Sequence, residues 1–99
     1  MITFTLDLPK LAEPLQLQLE ESLLKVPGVE AFALQDESGN FSVTADKETD
    51  ALRGAVLAIY GWAAEHPSVL ARMKVVCGEK ERLLVKSSPN DIIYFLADC

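Results

Sequence analysis

Residues 23–45 read Leu23-Leu24-Lys25-Val26-Pro27-Gly28-Val29-Glu30-Ala31-Phe32-Ala33-Leu34-Gln35-Asp36-Glu37-Ser38-Gly39-Asn40-Phe41-Ser42-Val43-Thr44-Ala45. The stretch changes character three times. Leu23 and Val26 continue an apolar stripe that begins at Leu15 and Leu19, with Glu20, Glu21 and Lys25 on the other side, which predicts an amphipathic helix entered at Pro14. Pro27-Gly28 stops it. Val29 to Gln35, the polar turn 36–40 and Phe41 to Ala45 then predict a hairpin with a five-residue loop, Gly39 and Asn40 supplying left-handed conformations. Leu15 to Leu19 alone also alternates like a strand, so the helix reading rests on its continuation through Leu23.

On the N-terminal side, Ile2, Phe4 and Leu6 alternate with Thr3, Thr5 and Asp7, the period of a strand with one buried face, and Pro9 ends it. On the other side, Asp46 or Thr49 can cap a long helix with Leu52, Val56, Ile59 and Ala63 in one stripe, stopped by Pro67. Ala51, Ala55, Ala58 and Trp62 give this helix a second apolar flank, so it is expected to pack on a sheet and on something else. Val69 to Cys77 alternates, and with a turn at Gly78 to Glu81 and the run Arg82 to Lys86 it predicts a second hairpin. Ser88-Pro89-Asn90-Asp91 carries a capping serine, a proline at the first helical position and an acid three residues on, so residues 92–96 read as a short helix, with a last strand as the competing reading.

Two strand-helix-strand halves joined by a hairpin make an α+β chain whose expected architecture is a ferredoxin-like βαββαβ sandwich, an antiparallel sheet with helices on one face. The last hairpin strand and short helix are additions to it. Residues 1–99 read as a single domain, without repeat or linker.

Fifteen acids against nine bases leave a formal charge of −6, and 49% of residues are hydrophobic. Folding at this length buries only about 60 to 65% of the unfolded surface, which disfavours a large enclosed active site. Residues 1–70 hold 4 bases and 11 acids (−7), residues 71–99 hold 5 bases and 4 acids (+1). An acidic surface forgoes the counterion release that drives nucleic-acid binding, so that partner class is disfavoured. No apolar run approaches the ~20 residues of a membrane span, and residues 1–7 lack a basic leader, so a cytoplasmic location is expected. Two cysteines are too few and too far apart for a disulfide framework. Cys77 is expected as a small buried residue on a strand and Cys99 as a free thiol, open to an intermolecular bridge in an oxidised sample.

Catalytic chemistry has little support. Cys77, Cys99 and His66 are the only soft ligands and lack metal-clamp spacing; no glycine-rich phosphate loop occurs, so neither metal nor cofactor is expected. His66 reads as a helix terminator, and the carboxylate pairs Glu20-Glu21 and Asp36-Glu37 as solvated surface. Two features stand above this background. Arg72 and Lys74 on one strand and Arg82 and Lys86 on its partner can form a basic patch, either a solvated sheet face or a docking surface. Tyr60 and Trp62 on the long helix are interface-type aromatics, or core. Gly61 beside them suggests close approach of another backbone.

The phrase Leu23-Leu24-Lys25-Val26-Pro27-Gly28-Val29-Glu30, followed by a hairpin and a helix, resembles the first half of heavy-metal-associated domains and amino-acid-binding ACT domains over residues 2–66. The metal-carrying members hold a CxxC where this chain has Leu8-Pro9-Lys10-Leu11-Ala12-Glu13, so copper carriage does not transfer. Trp62-Ala63-Ala64-Glu65-His66-Pro67, with the hairpin and the Ser87 to Asp91 segment, resembles the end of small bacterial effector-associated domains, which implies protein-protein coupling. The expected function is a non-catalytic adaptor or regulatory component docking a protein partner, or a second copy of itself, through Tyr60, Trp62, Arg72, Lys74, Arg82 and Lys86. The alternatives are an ACT-like small-molecule-binding regulatory domain and an acidic inhibitor of a basic partner.

Overall fold

A computed structural model describes residues 1–34, 39–46 and 48–99, so the loop acids Asp36 and Glu37 lie outside the described residues. The chain runs β1 (Ile2–Asp7), α1 (Glu13–Leu24), β2 (Val29–Ala33), β3 (Phe41–Ala45), α2 (Ala51–Ala64), α3 (Pro67–Leu70), β4 (Lys74–Cys77), β5 (Lys80–Leu83) and α4 (Pro89–Ala97). It is an α+β fold. The five strands form one open sheet in the order β2-β3-β1-β4-β5, every neighbouring pair antiparallel.

Register explains how alternation becomes a core. Phe4 stands opposite Val43, which stands opposite Ala31; Leu6 stands opposite Phe41 on one side and Val75 on the other. Directly opposed residues share a face, so the apolar alternates of four strands make one continuous buried surface. Leu19 and Leu23 of α1, Leu52, Val56 and Ile59 of α2, and Ile92 and Leu96 of α4 close over it. Each such fully buried side chain contributes about 1.5 to 3 kcal/mol relative to exposure.

The predicted helices α1, α2 and α4 form. Pro14 sits in the first turn of α1, and the burial of Leu19 and Leu23 decides for helix over strand. The helix stops at Leu24, but Val26 still packs on the core. The start of α4 is a complete capping box: Ser88 Oγ accepts from the Asp91 amide and Asp91 Oδ2 accepts from the Ser88 amide, both at 3.1 Å. The cap of α2 differs from the expectation: Asp50 holds the N-cap position without a side-chain capping bond, Thr49 Oγ1 accepts from the Ala51 amide at 3.1 Å, and Asp46 Oδ1 takes the Glu48 amide before the helix begins.

Several expectations are corrected. The alternation of residues 69–77 is only half a strand. Pro67 starts a helical turn in which the Val69 and Leu70 amides donate to the His66 carbonyl at 3.0 Å, so β4 begins only at Lys74. The second hairpin turns tightly at Gly78-Glu79, with Gly78 at φ +63°, and puts Lys80 directly opposite Cys77. Consequently β5 ends at Leu83, and Lys86 lies in the turn that follows. Gly39 has φ +80°, and a Cβ there would stand 2.7 Å from the Lys10 backbone; Asn40 does not share the left-handed conformation.

The glycine that permits close packing on α2 is not Gly61, which has open space around it. It is Gly54, where a Cβ would fall 2.6 Å from Cγ1 of Val26 at the end of α1. The second apolar flank of α2 is covered by this chain's own α1 and α4. Cys99 is not a free thiol: its sulfur is bridged to Cys77, with the two Cα atoms 6.2 Å apart, within the ordinary span of a disulfide. The 22-residue separation, uninformative along the sequence, is cancelled when β4 and the end of α4 come together.

Candidate functional site

The β4-β5 register decides where the positive charges go. Lys74 stands opposite Leu83, and Val75 opposite Arg82. Val75 faces the core, so Arg82, and Lys80 two residues before it, project on the helix-covered side; Lys74 projects on the other. The predicted basic patch is therefore split by the sheet. Lys74 is held by Glu81 at 3.1 Å and Asp7 at 3.7 Å, and the hydrogen bond and charge of Glu81, then the opposing desolvation and the help of Asp7, leave its ammonium pKa raised. Arg72 is exposed in the turn before Met73, and Lys86 is exposed after β5.

Tyr60 and Trp62 are spent inside the chain. The Tyr60 hydroxyl faces the Leu84 carbonyl at 2.9 Å and the Ser87 carbonyl at 3.2 Å, tying α2 to the segment that leads into α4. Burial, with the charge of Asp91 adding to it, raises its phenol pKa. Trp62 is 5% exposed and its ring centre lies 4.6 Å from that of His66.

What the fold does assemble is a cleft of about 330 Å³ between β5 and α4. Lys80 and Arg82 supply one wall. Asp91, Tyr94 and Phe95 of α4, three and four residues on from Asp91, supply the other with Asp98 just past the helix, and the Cys77–Cys99 bridge lies at one end. Arg82 lies with its guanidinium carbon 4.7 Å from the Phe95 ring centre, and its Nη1 donates to the Glu81 carbonyl at 2.8 Å, so the cation is held in one orientation. Tyr94 is 74% exposed. Among the described residues Lys80 makes no ion pair. The cleft is thus an aromatic surface beside one oriented cation, Arg82, and the exposed Lys80, with Asp91 already accepting the Ser88 amide and Asp98 adding a second acid.

Of the six residues expected to bind a partner, Tyr60, Trp62, Arg72, Lys74, Arg82 and Lys86, Arg82 alone lines this cleft, together with the two cysteines. Lys80, Tyr94 and Phe95 were missed. The Gly78-Glu79 turn was the available signal, because a two-residue turn forces Lys80 opposite Cys77 and every later residue of β5 into place. Among the described residues no group of three or more metal-ligand side chains comes together, and no helix is long and apolar enough to cross a membrane. Comparison of the chain with family models, with curated proteins and with solved structures gives no match.

Proposed function

We propose that this chain is a non-catalytic protein-interaction component that docks an acidic segment of a protein partner in the cleft between β5 and α4. The observation that carries the reading is the placement of Lys80 and Arg82 side by side on the wall facing exposed Tyr94. An exposed tyrosine beside a pre-oriented arginine is the residue pairing found at energetic centres of protein interfaces. A partner carboxylate reaches the two cations while a neighbouring apolar side chain rests on Tyr94. Because β5 is the last strand of the sheet, an extended segment can lie along its free edge as it does so.

The test is selection from a displayed library of random peptides on the full chain. Peptides carrying Asp or Glu next to an apolar residue are expected. The Arg82→Glu, Tyr94→Ala double variant should lose them by about 10- to 100-fold, corresponding to about 1.4 to 2.7 kcal/mol. Selected peptides that bind the double variant equally well would remove this assignment.

We also infer that the fold is ferredoxin-like. This is supported by the order β2-β3-β1-β4, with α1 crossing from β1 to β2 and α2 from β3 to β4; on that reading β5 and α4 are an appended unit that creates the cleft. The second functional reading, small-molecule regulation of ACT type, is favoured by the cleft volume alone, which falls within the range of ligand sites. A thermal-shift screen separates the two, since a ligand at 100 times its Kd adds about 2.7 kcal/mol.

A further inference from the structure

We infer that the Cys77–Cys99 bridge is a redox latch on this cleft, opened by thiol reductants and closed by disulfide oxidants. Three observations converge. The bridge joins the last residue of β4 to Cys99, two residues past α4, and both cysteines line the cleft. Cys99 is exposed whereas Cys77 is half-buried, so an incoming thiolate meets the Cys99 sulfur first. Lys80 is directly opposite Cys77 in the register and lines the same cleft, and an ammonium near the sulfur that must leave favours a departing thiolate.

The exchange is written as follows. A thiolate of the reductant attacks Cys99 Sγ; a mixed disulfide forms there, the Sγ–Sγ bond breaks, and Cys77 leaves with the electron pair as thiolate. A second reductant thiolate attacks the reductant sulfur of the mixed disulfide and releases Cys99. The reductant becomes a disulfide, and the protein gains two electrons and, on neutralisation, two protons. Closure is the reverse, with a small disulfide as oxidant.

The consequence falls on one end of one helix. The start of α4 is secured independently by its capping box and by buried Ile92. Beyond Leu96, Ala97 is half-buried against the core and Asp98 and Cys99 are exposed; these last two are held by the Asp98 amide on the Tyr94 carbonyl at 3.3 Å, the Cys99 amide on the Leu96 carbonyl at 3.1 Å, and the bridge. Opening the bridge therefore frees residues 98 and 99, and with them that end of the cleft, while leaving Ala97 on the core and Arg82 on Phe95. That this alters partner docking rests on the function proposed above; the latch itself does not.

The experiment equilibrates the full chain in oxidised-to-reduced glutathione mixtures, traps thiols with an alkylating maleimide, counts them by intact mass, and follows amide hydrogen exchange. Expected are no trapped thiols at the oxidising end and two at the reducing end. The amides of Asp98 and Cys99 should exchange about tenfold faster when reduced, with those of the α2 core unchanged. Cys99→Ser should show the fast exchange in every mixture. Two trapped thiols under oxidising conditions or equal exchange in both states would each overturn the latch. Thiol counts and exchange need no partner. If they behave as expected while peptide capture survives the Arg82→Glu, Tyr94→Ala double variant, the docking reading fails and the latch stands.

Discussion

Arg82 and Phe95 meet across the cleft, the guanidinium carbon 4.7 Å from the ring centre, and this contact joins the edge strand to the last helix. It carries a measurable coupling. A double-mutant cycle of Arg82→Ala and Phe95→Leu, read from urea unfolding, should give about 0.5 to 1 kcal/mol of interaction energy. A coupling indistinguishable from zero would mean that the two elements are held together by the core alone.

The two helical glycines of α2 should respond oppositely to the same change. At Gly54 an added methyl meets Val26 Cγ1 at 2.6 Å, and a β-branched side chain cannot swing clear, so Gly54→Ala should destabilise by about 1 to 3 kcal/mol. Gly61 has nothing within 4 Å, so Gly61→Ala should stabilise by about 0.5 to 1 kcal/mol through helix propensity. At about 4 to 8 °C per kcal/mol for a domain of this size, thermal melts resolve both signs.

Removing the Tyr60 hydroxyl leaves the Leu84 and Ser87 carbonyls without it, and Tyr60→Phe should cost about 1 to 2 kcal/mol. The sign of its pH dependence follows from the raised phenol pKa. The unfolded chain ionises first, near the ordinary value of 10, so the Tyr60 contribution is complete below that pH and is lost as pH rises through the higher folded value. Lys74, raised from 10.5, acts with the same sign in the same window. The difference between wild type and Tyr60→Phe, measured by urea midpoints from pH 8 to the alkaline limit, isolates the tyrosine; a constant difference across that range would contradict the burial that raises its pKa.

The bridge between Cys77 and Cys99 closes a loop of about 22 residues, and loop-closure entropy assigns such a cross-link about 3 kcal/mol. Cys99→Ser should therefore lower stability by up to about that amount in oxidising buffer and by little under full reduction. Equal losses in both buffers would point to packing at Cys99 rather than to the cross-link.

The strand β1, the helices α1, α2 and α4 and both hairpins were legible because their signals are local: an alternation of two, a stripe of 3.6, a proline or glycine at the stop, a serine and an aspartate in a box. Residues 67–73 misled because Val69, Ala71 and Met73 alternate like a strand, whereas Pro67 is also a good first helical residue and the His66 carbonyl was free to accept. Local pattern did not rank those two outcomes.

The sequence by itself determined which residues are apolar, the extents of β1, α1, β2, β3, α2 and α4 to within a few positions, and that residues 71–99 carry the excess of bases. Only the tertiary structure decided what those residues became. Residues one apart on a strand face opposite sides of the sheet, and the pairing of Val75 with Arg82 put Lys74 on one side and Lys80 with Arg82 on the other. Burial of Tyr60 and Trp62 followed from α1 and α4 closing over α2, contacts between elements far apart along the chain. The pairing of Cys77 with Cys99 has the same origin: proximity in space is set by the sheet order and the docking of α4, quantities to which sequence separation is blind.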